Sequence, residues 1–280
     1  MEHIKKPDWL KIKLGGGDHF SGTSNIVESH GLHTICASGR CPNTGECWGR
    51  GTATFMIGGE ICTRSCKFCN TKTGRPLALN PVEPANVAKS IQLMGLKHAV
   101  ITSVDRDDLS DLGARHWVDT IDKVRQVNPS TTIEVLIPDF QGKTELVDMI
   151  CRAAPDVISH NMETVRSLTP KVRSAARYDV SLSVLKRIAE NGLKSKSGMM
   201  VGLGETTDEI FQLMDDLRAA NCSVLTIGQY LQPSRKHLPV VSYIHPDEFR
   251  LFKEAALTKG FSHVESGPLV RSSYHAENCL

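Results

Sequence analysis

A chain of 280 residues with 40% hydrophobic and 23% charged side chains has enough interior for a full core of barrel size. Its formal net charge of +2, with lysine and arginine spread along the chain, gives no case for nucleic acid or an anionic membrane surface as a partner. No stretch of about 18 apolar residues is present, and Met1 to Pro7 lacks the apolar run of a secretion signal. The cytoplasm is therefore expected, a reducing compartment that disfavours structural disulfides, so nine cysteines need another explanation.

Residues 1–51 are rich in Gly, Ser, His and Cys and weakly periodic. Gly15-Gly16-Gly17 reads as a joint, and the segment is expected to wrap a core without forming one. A regular alternation begins at residue 52. Residues 52–57 predict a buried strand stopped by Gly58-Gly59, 84–94 a helix and 98–104 a strand. Helices over 114–127, 144–154, 182–190, 208–220 and 246–259 then alternate with strands over 131–137, 156–160, 196–203 and 224–229. Thr206 and Glu209 form a capping-box pattern, with Ile210, Met214 and Leu217 following on one helix face. Pro246 suits a first helical turn, and Gly192 and Gly260 suit left-handed helix stops.

Short apolar strands alternating with helices imply a parallel sheet covered by helices. The expectation is an α/β fold, a partial (β/α)6 TIM-like barrel over residues 52–260. An N-terminal extension (1–51) and a C-terminal segment (261–280) are expected to cover the barrel mouth. In such folds active residues gather at the C-terminal ends of the strands.

Six of the nine cysteines lie between residues 36 and 69. Cys62, Cys66 and Cys69 have C-x3-C-x2-C spacing straight after the first expected strand. Three thiolates on one short loop can grip three irons of a cubane and leave the fourth open. Structural zinc sites more often show paired C-x2-C spacing and close at four ligands; zinc and a plain electron carrier are the alternatives. Cys36, Cys41 and Cys47, with C-x4-C-x5-C spacing, form a second incomplete triad. Cys151 and Cys222 read as buried small apolar groups, and Cys279 lies near a chain end that is expected to fray.

The first motif and its placement resemble the radical S-adenosylmethionine superfamily. The second triad, together with Arg271-Ser272-Ser273-Tyr274, resembles the lipoyl synthase family within it. The likeness extends across residues 8–276 and includes Val104 to Leu109, His160 to Thr164, Met200 to Glu205 and Gln229 to Ser234. It implies two 4Fe–4S clusters, one on Cys62, Cys66 and Cys69 and an auxiliary one on Cys36, Cys41, Cys47 and Ser273. S-adenosylmethionine would be chelated at the open iron of the first and cleaved to a 5′-deoxyadenosyl radical. The implied reaction is insertion of two sulfur atoms, supplied by the auxiliary cluster, at C6 and C8 of a protein-bound octanoyl-lysine. Implied partners are an octanoylated lipoyl carrier domain or H protein, a reductant of ferredoxin or flavodoxin type, and an iron–sulfur cluster carrier. A sulfur-inserting relative of biotin synthase and a methylthiotransferase are the alternative enzymes; Arg-Ser-Ser-Tyr beside a second triad argues against both.

The same resemblance marks cosubstrate residues at the strand ends. Phe68 matches an aromatic residue near the adenine. Thr102, Ser103, Asp105 and Arg106 stand where the superfamily binds the cosubstrate's amino group, although a capped turn joined by ion pairs is the plain alternative. Asn161 and Glu163 suit ribose hydroxyls, and His160 beside them orients a loop. Gly202 and Gly204, followed by Glu205, leave room for a backbone to approach the adenine. Gln229, Tyr230 and Gln232 line a substrate path or, for Tyr230, fill the core. Arg271 balances cluster charge or orients Ser273.

Overall fold

The computed structural model describes residues 5–11, 18–29, 31–49 and 53–280. The joint at Gly15-Gly16-Gly17 and the first residue, Thr52, of the expected strand over 52–57 fall outside them. The chain divides into two compact units, one of residues 12–64 and 70–158, the other of residues 1–11, 65–69 and 159–280.

In the first unit, α1 (Asp18–Ser29), β1 (His33–Thr34), α2 (Ile35–Ser38) and α3 (Thr44–Gly49) precede β2 (Thr54–Ile57). The N-terminal segment is thus more ordered than its weak periodicity suggests. α2 and α3 are short, and α2 is held by a local cap, the Thr34 hydroxyl accepting from the Ala37 N–H, so no long apolar stripe announces them. A two-stranded ribbon follows, β3 (Ile61–Cys62) paired in parallel with β4 (Lys72–Thr73). Then come α4 (Glu83–Met94), β5 (His98–Ser103), α5 (Ala114–Val127), β6 (Thr132–Leu136), α6 (Thr144–Arg152) and β7 (Val157–Ser159). β1 runs antiparallel to β2, with His33 opposite Met56. β2 pairs in parallel with β5 (Ile57 opposite Ser103), and β5 with β6 (Thr102 opposite Leu136). All four residues of β2 are buried, as expected for a parallel strand covered on both faces.

In the second unit, α7 (Thr169–Val172), α8 (Tyr178–Glu190), β8 (Lys194–Val201), α9 (Thr207–Ala219), β9 (Val224–Gln229), α10 (Pro246–Thr258) and β10 (His263–Gly267) follow in order. β8, β9 and β10 are parallel neighbours. The core packs Ile210, Leu213, Met214 and Leu217 of α9 with Phe249 and Phe252 of α10 and Leu225 and Ile227 of β9.

The six expected strand–helix repeats are present in chain order: β2–α4, β5–α5, β6–α6, β7–α8, β8–α9 and β9–α10. The capping box at Thr206 and Glu209 forms, and Pro246 occupies the first turn of α10. Gly192 and Gly260 follow their helices at φ +75° and +94°. α8 begins four residues before its apolar stripe suggests, because the Tyr178 hydroxyl reaches the Asp216 carboxylate at 2.8 Å, a partner that spacing cannot reveal. The short β1, β3 and β4 were not expected, and neither was β10. It falls where a C-terminal tail was expected and follows the last helix as a seventh parallel strand.

One buried group pins the turn after β2. The Glu83 carboxylate accepts from the Gly58 N–H at 2.8 Å and lies 2.6 Å from His116 Nε2, and both side chains are buried. Glu83→Ala is expected to strand two buried polar groups and lower unfolding free energy by about 1–3 kcal/mol. Urea unfolding of the variant beside the parent measures this, and coincident midpoints would show the turn to be held by other contacts.

Candidate functional site: two cysteine triads and the strand ends

Cys62 ends β3, and Cys66 and Cys69 lie in the loop between β3 and β4. The buried Cys62 sulfur accepts from the backbone N–H groups of Arg64 (3.4 Å) and Asp105 (3.3 Å). Its S–H faces the Asp105 carboxylate at 3.5 Å. Burial, and then the Asp105 charge, push this thiol up to about 12. Burial likewise raises Asp105, with the nearby Arg64 guanidinium opposing it. Two N–H donors aimed at one sulfur favour its thiolate, the form that binds iron.

Arg64, between the first two cysteines of the loop, is buried. Its Nε and Nη2 form a fork on Asp107 at 2.7 and 2.9 Å, and Nη2 also meets Asp139 at 2.8 Å. Asp105 stands 3.4 Å from Nε. Thr63 reinforces the attachment: its N–H and hydroxyl donate to the Asp105 carbonyl at 3.1 and 3.0 Å, and its hydroxyl accepts from the Asp107 N–H at 3.1 Å. Residues 62–64 are thereby welded to the ends of β5 and β6. Sequence reasoning missed Arg64 and Asp139, whose pairing spans 75 positions.

The other residues marked near β5 divide by role. Thr102 is buried and donates to the Leu136 carbonyl at 3.2 Å, so its hydroxyl serves the sheet. Ser103 is partly exposed at the last position of β5. Arg106 follows the plain alternative: buried, it donates to the carbonyls of Gly58 (3.1 Å) and Leu77 (3.0 Å) and forks onto Asp108 at 2.8 Å.

The remainder of the loop is held in the second unit. The Lys67 N–H donates to the Val172 carbonyl at 2.9 Å, and the Lys67 carbonyl accepts from Leu238 at 3.1 Å. The Cys69 carbonyl lies 2.9 Å from His237 Nε2. A carbonyl accepts only, so Nε2 carries the proton and Nδ1 takes one from the Ser234 hydroxyl at 2.9 Å. Phe68 packs on the cluster of Val172, Leu203 and Tyr230. His237 is a further residue the sequence did not single out.

Cys36, Cys41 and Cys47 form a local knot in the first unit. Cys36 lies in α2 and Cys47 in α3. The Cys41 N–H donates to the Cys36 carbonyl at 3.0 Å, and the Thr44 hydroxyl donates to the carbonyls of Cys36 and Cys41 at 3.2 and 2.9 Å. Trp48, Phe20, Ala53 and Met94 pack around the three cysteines. Ile35, next to Cys36, packs with Met56, Val104 and Cys62. Asn70, just after Cys69, donates to the Ser38 carbonyl at 2.8 Å. Within the first unit, the segment around Cys36 is therefore a neighbour of Cys62 and of Asn70.

After β7, Asn161 donates from one amide nitrogen to the Glu163 carboxyl at 3.0 Å and to the Ser272 hydroxyl at 2.6 Å. The Asn161 Oδ1 is buried with no hydrogen-bond partner. Glu163 takes a left-handed φ of +65°, rare outside glycine. Burial raises its acid pKa, against the pull of Arg173, Asn161 and Arg271. His160 is buried, 2.9 Å from the Ser181 hydroxyl, in an orienting position.

Gly202 is small for the chain's own sake. A Cβ there would lie 2.2 Å from Gln229 Nε2 and 2.4 Å from the Ser242 carbonyl oxygen. A Cβ at Gly204 would make ordinary contact with the Val241 side chain at 3.7 Å, but the residue has a φ of +112°, and the Glu205 carboxylate accepts from the Gly202 and Leu203 N–H groups. Gln229 lines no path. Its amide donates to the carbonyls of Val201, Tyr230 and Ser242 and accepts from Ile244. Tyr230 fills the core, its hydroxyl donating to Leu238 at 2.7 Å, and Gln232 donates to the His237 carbonyl. Arg271 donates to the Gln229 carbonyl at 3.3 Å. Cys151 and Cys222 are buried as expected. Cys279 is buried too, and its carbonyl accepts from Lys194 at 2.8 Å.

Residues 56–217 match the Radical SAM superfamily. The chain is 70% identical to the lipoyl synthase of Parabacteroides distasonis over 99% of its own length and 98% of that protein. It is 65% identical to the lipoyl synthase of Porphyromonas gingivalis, over 100% of its length and 99% of that one. This chain belongs to the lipoyl synthase family of the radical SAM superfamily.

At 12% identity the fold also matches methylornithine synthase, with a TM-score of 0.55 over 87% of this chain and 81% of that one. Streptococcus suis SuiB matches at 11% identity, with a TM-score of 0.60 over 76% of this chain and 48% of that one. The α/β class with a mostly parallel sheet and partial TIM-like barrel is the fold of such enzymes.

Membership in the lipoyl synthase family brings 4Fe–4S clusters and S-adenosylmethionine as cosubstrate. The donor set fits. Each triad offers three thiols, and in a cubane each thiolate takes a different iron. No helix among the described residues is long and apolar enough to cross a membrane.

Arg64→Gln would leave the buried Asp139 and the fork partner Asp107 without their counter-charge. Breaking such a pair costs about 3–5 kcal/mol. Iron-free protein is expected to lose that much stability in urea, and reconstituted protein to retain about four irons where two cubanes give about eight. Unchanged stability with full iron would mean that the loop keeps its place without the guanidinium.

Proposed function

We propose that this lipoyl synthase family chain holds one cluster on Cys62, Cys66 and Cys69 and a second on Cys36, Cys41, Cys47 and Ser273, and so inserts sulfur at C6 and C8 of a protein-bound octanoyl-lysine. The observation that carries the reading is the presence of two separate incomplete cysteine triads, with Ile35 beside Cys36 packing on Cys62, in a chain 70% identical to a lipoyl synthase. When bound, the clusters and S-adenosylmethionine supply one-electron reduction, a carbon radical and sulfur, chemistry that belongs to the cofactors.

The chain's own part is binding and orientation. Cys62 offers a sulfur already surrounded by N–H donors. Asp105 and Ser103 are proposed to take the ammonium end of the cosubstrate, and Thr102 to set the strand end beneath them. The unpaired Oδ1 of Asn161 and the Glu163 carboxyl are proposed to receive ribose hydroxyls, with Phe68 against the adenine. The turn at Gly202 and Gly204 shapes the edge of that site, Gly202 through its packing on Gln229 and Ser242.

The family acts on octanoylated carrier proteins and needs a reductant. The finer assignments are a lipoyl domain or H protein as carrier, ferredoxin or flavodoxin as electron donor, an iron–sulfur cluster carrier for repair, and the cytoplasm as the place.

Anaerobically reconstituted protein, given reductant, S-adenosylmethionine and an octanoylated carrier peptide, is expected to yield a peptide heavier by two sulfurs in exchange for two hydrogens. An unchanged peptide mass would refute the substrate. In the same assay Cys66→Ala is expected to abolish 5′-deoxyadenosine. Ser273→Ala is expected to spare 5′-deoxyadenosine more than sulfur insertion; equal loss of both would count against a sulfur-donor role for the second cluster.

A further inference from the structure

Cys47 and Trp48 are neighbours on α3, and Trp48 shares one buried cluster with Cys36, Cys41 and Cys47. Trp48 is 7% exposed. α1 fixes it from one side. The Phe20 and Trp48 rings lie 5.4 Å apart, tilted by 36°. The Thr23 hydroxyl, one turn on from Phe20, donates to the Trp48 carbonyl at 3.2 Å. All of these residues belong to the first unit.

An indole nitrogen can only donate, and folded chains nearly always give a buried donor an acceptor. Among the described residues the Trp48 Nε1–H has none. The side chains of the cluster limit what can serve. Phe20 and Ala53 carry no acceptor, and the thioether of Met94 is a weak one. The three cysteine sulfurs remain. As thiols they too accept weakly. As thiolates on iron they carry negative charge, and a hydrogen bond to a charged acceptor is roughly twice as strong as a neutral one.

We propose that the Trp48 indole N–H donates a hydrogen bond to a sulfur of the cluster held by Cys36, Cys41 and Cys47, a bond made only when that cluster is in place. The bond offsets part of the negative charge gained on reduction, and hydrogen bonds to sulfur are among the features that set the potential of such clusters. The apolar side chains of Phe20, Ala53 and Met94 keep water from competing for the same sulfur. Trp48 thereby governs how readily the sulfur source takes up an electron. This bond rests on the assignment of the three cysteines to a cluster; the fourth ligand plays no part in it.

The test isolates that cluster in full-length protein carrying Cys62→Ala, Cys66→Ala and Cys69→Ala, reconstituted to about four irons. The one-electron midpoint potential is read by redox titration followed by electron paramagnetic resonance. Trp48→Phe removes the donor and keeps a ring. Benzothienylalanine at position 48 keeps the shape of tryptophan and has sulfur in place of the N–H. Both proteins are expected to retain their iron and to shift the equilibrium about tenfold against the reduced cluster, the scale of one hydrogen bond to a charged group. That is a fall of about 59 mV for one electron. Iron-free protein with the benzothienyl side chain should unfold in urea at the parent midpoint or above it, since no bond is lost there. A parental potential in the iron-loaded benzothienyl protein would overturn the hydrogen bond and leave the cluster assignment standing; a shift in Trp48→Phe alone would then come from packing. Lower urea stability of the iron-free benzothienyl protein would show that the N–H already has an acceptor in the chain, and would overturn the proposal as well. Failure of the protein with intact Trp48 to retain iron would remove the cluster assignment, and the proposal with it.

Discussion

The constraint on which the rest of the site depends is a charge without water. Arg64 lies in the cysteine loop with its guanidinium buried. An unpaired cation there would cost several kcal/mol, so the loop is stable only where carboxylates meet it. Asp107 supplies a two-pronged contact and Asp139 a third. The carboxylates sit just beyond β5 and β6, so satisfying Arg64 brings Cys62 to the C-terminal ends of parallel strands. The backbone N–H groups that face the Cys62 sulfur, those of Arg64 and Asp105, come from the two segments that the ion pairs join. The electrostatic clamp and the sulfur cradle are one construction.

That construction separates residues that build the site from residues available to a ligand. Thr102, Arg106, Gln229 and Tyr230 all stand at strand ends where function was expected, yet their polar atoms are committed to backbone carbonyls of the chain. Asn161 differs. It donates twice and keeps a buried acceptor without a hydrogen-bond partner. Glu163 beside it holds a left-handed backbone. Hydrogen-bond satisfaction thus separates side chains committed to the scaffold from one that keeps capacity to accept.

Much of the fold was legible in the sequence because its signals are local. Mostly apolar stretches of about five to eight residues marked the strands, Thr206 and Glu209 marked a helix start, and Gly192 and Gly260 marked two stops. Both triads were legible as spacing. What escaped depends on contacts distant in sequence. Arg64 reads as an ordinary surface arginine until Asp107 and Asp139 are in place. β10 is only five residues long, with alternating and partly exposed side chains, too weak a pattern to mark a strand after an expected last helix. The helices around Cys36 and Cys47 are four and six residues long, held by a threonine cap and by packing on Trp48, which periodicity does not detect. Gly202 looked like room for a ligand because a sequence cannot show that Gln229 and Ser242 already fill the space.

The two triads differ physically in a way that matches their proposed fates. Cys62 is set in a buried network of ion pairs and N–H donors, a setting that resists rearrangement because each displaced group would leave another unpaired. The triad proposed for the second cluster sits instead on the short α2 and α3 and the loop between them, where the Thr44 hydroxyl ties the Cys36 and Cys41 carbonyls. A contact of that size contributes about 1 kcal/mol, so releasing it asks far less than breaking the Arg64 clamp. A cluster that must survive every turnover would be placed in the first setting. A cluster that must give up sulfur would be placed where one ligand can let go without disturbing the strands below it.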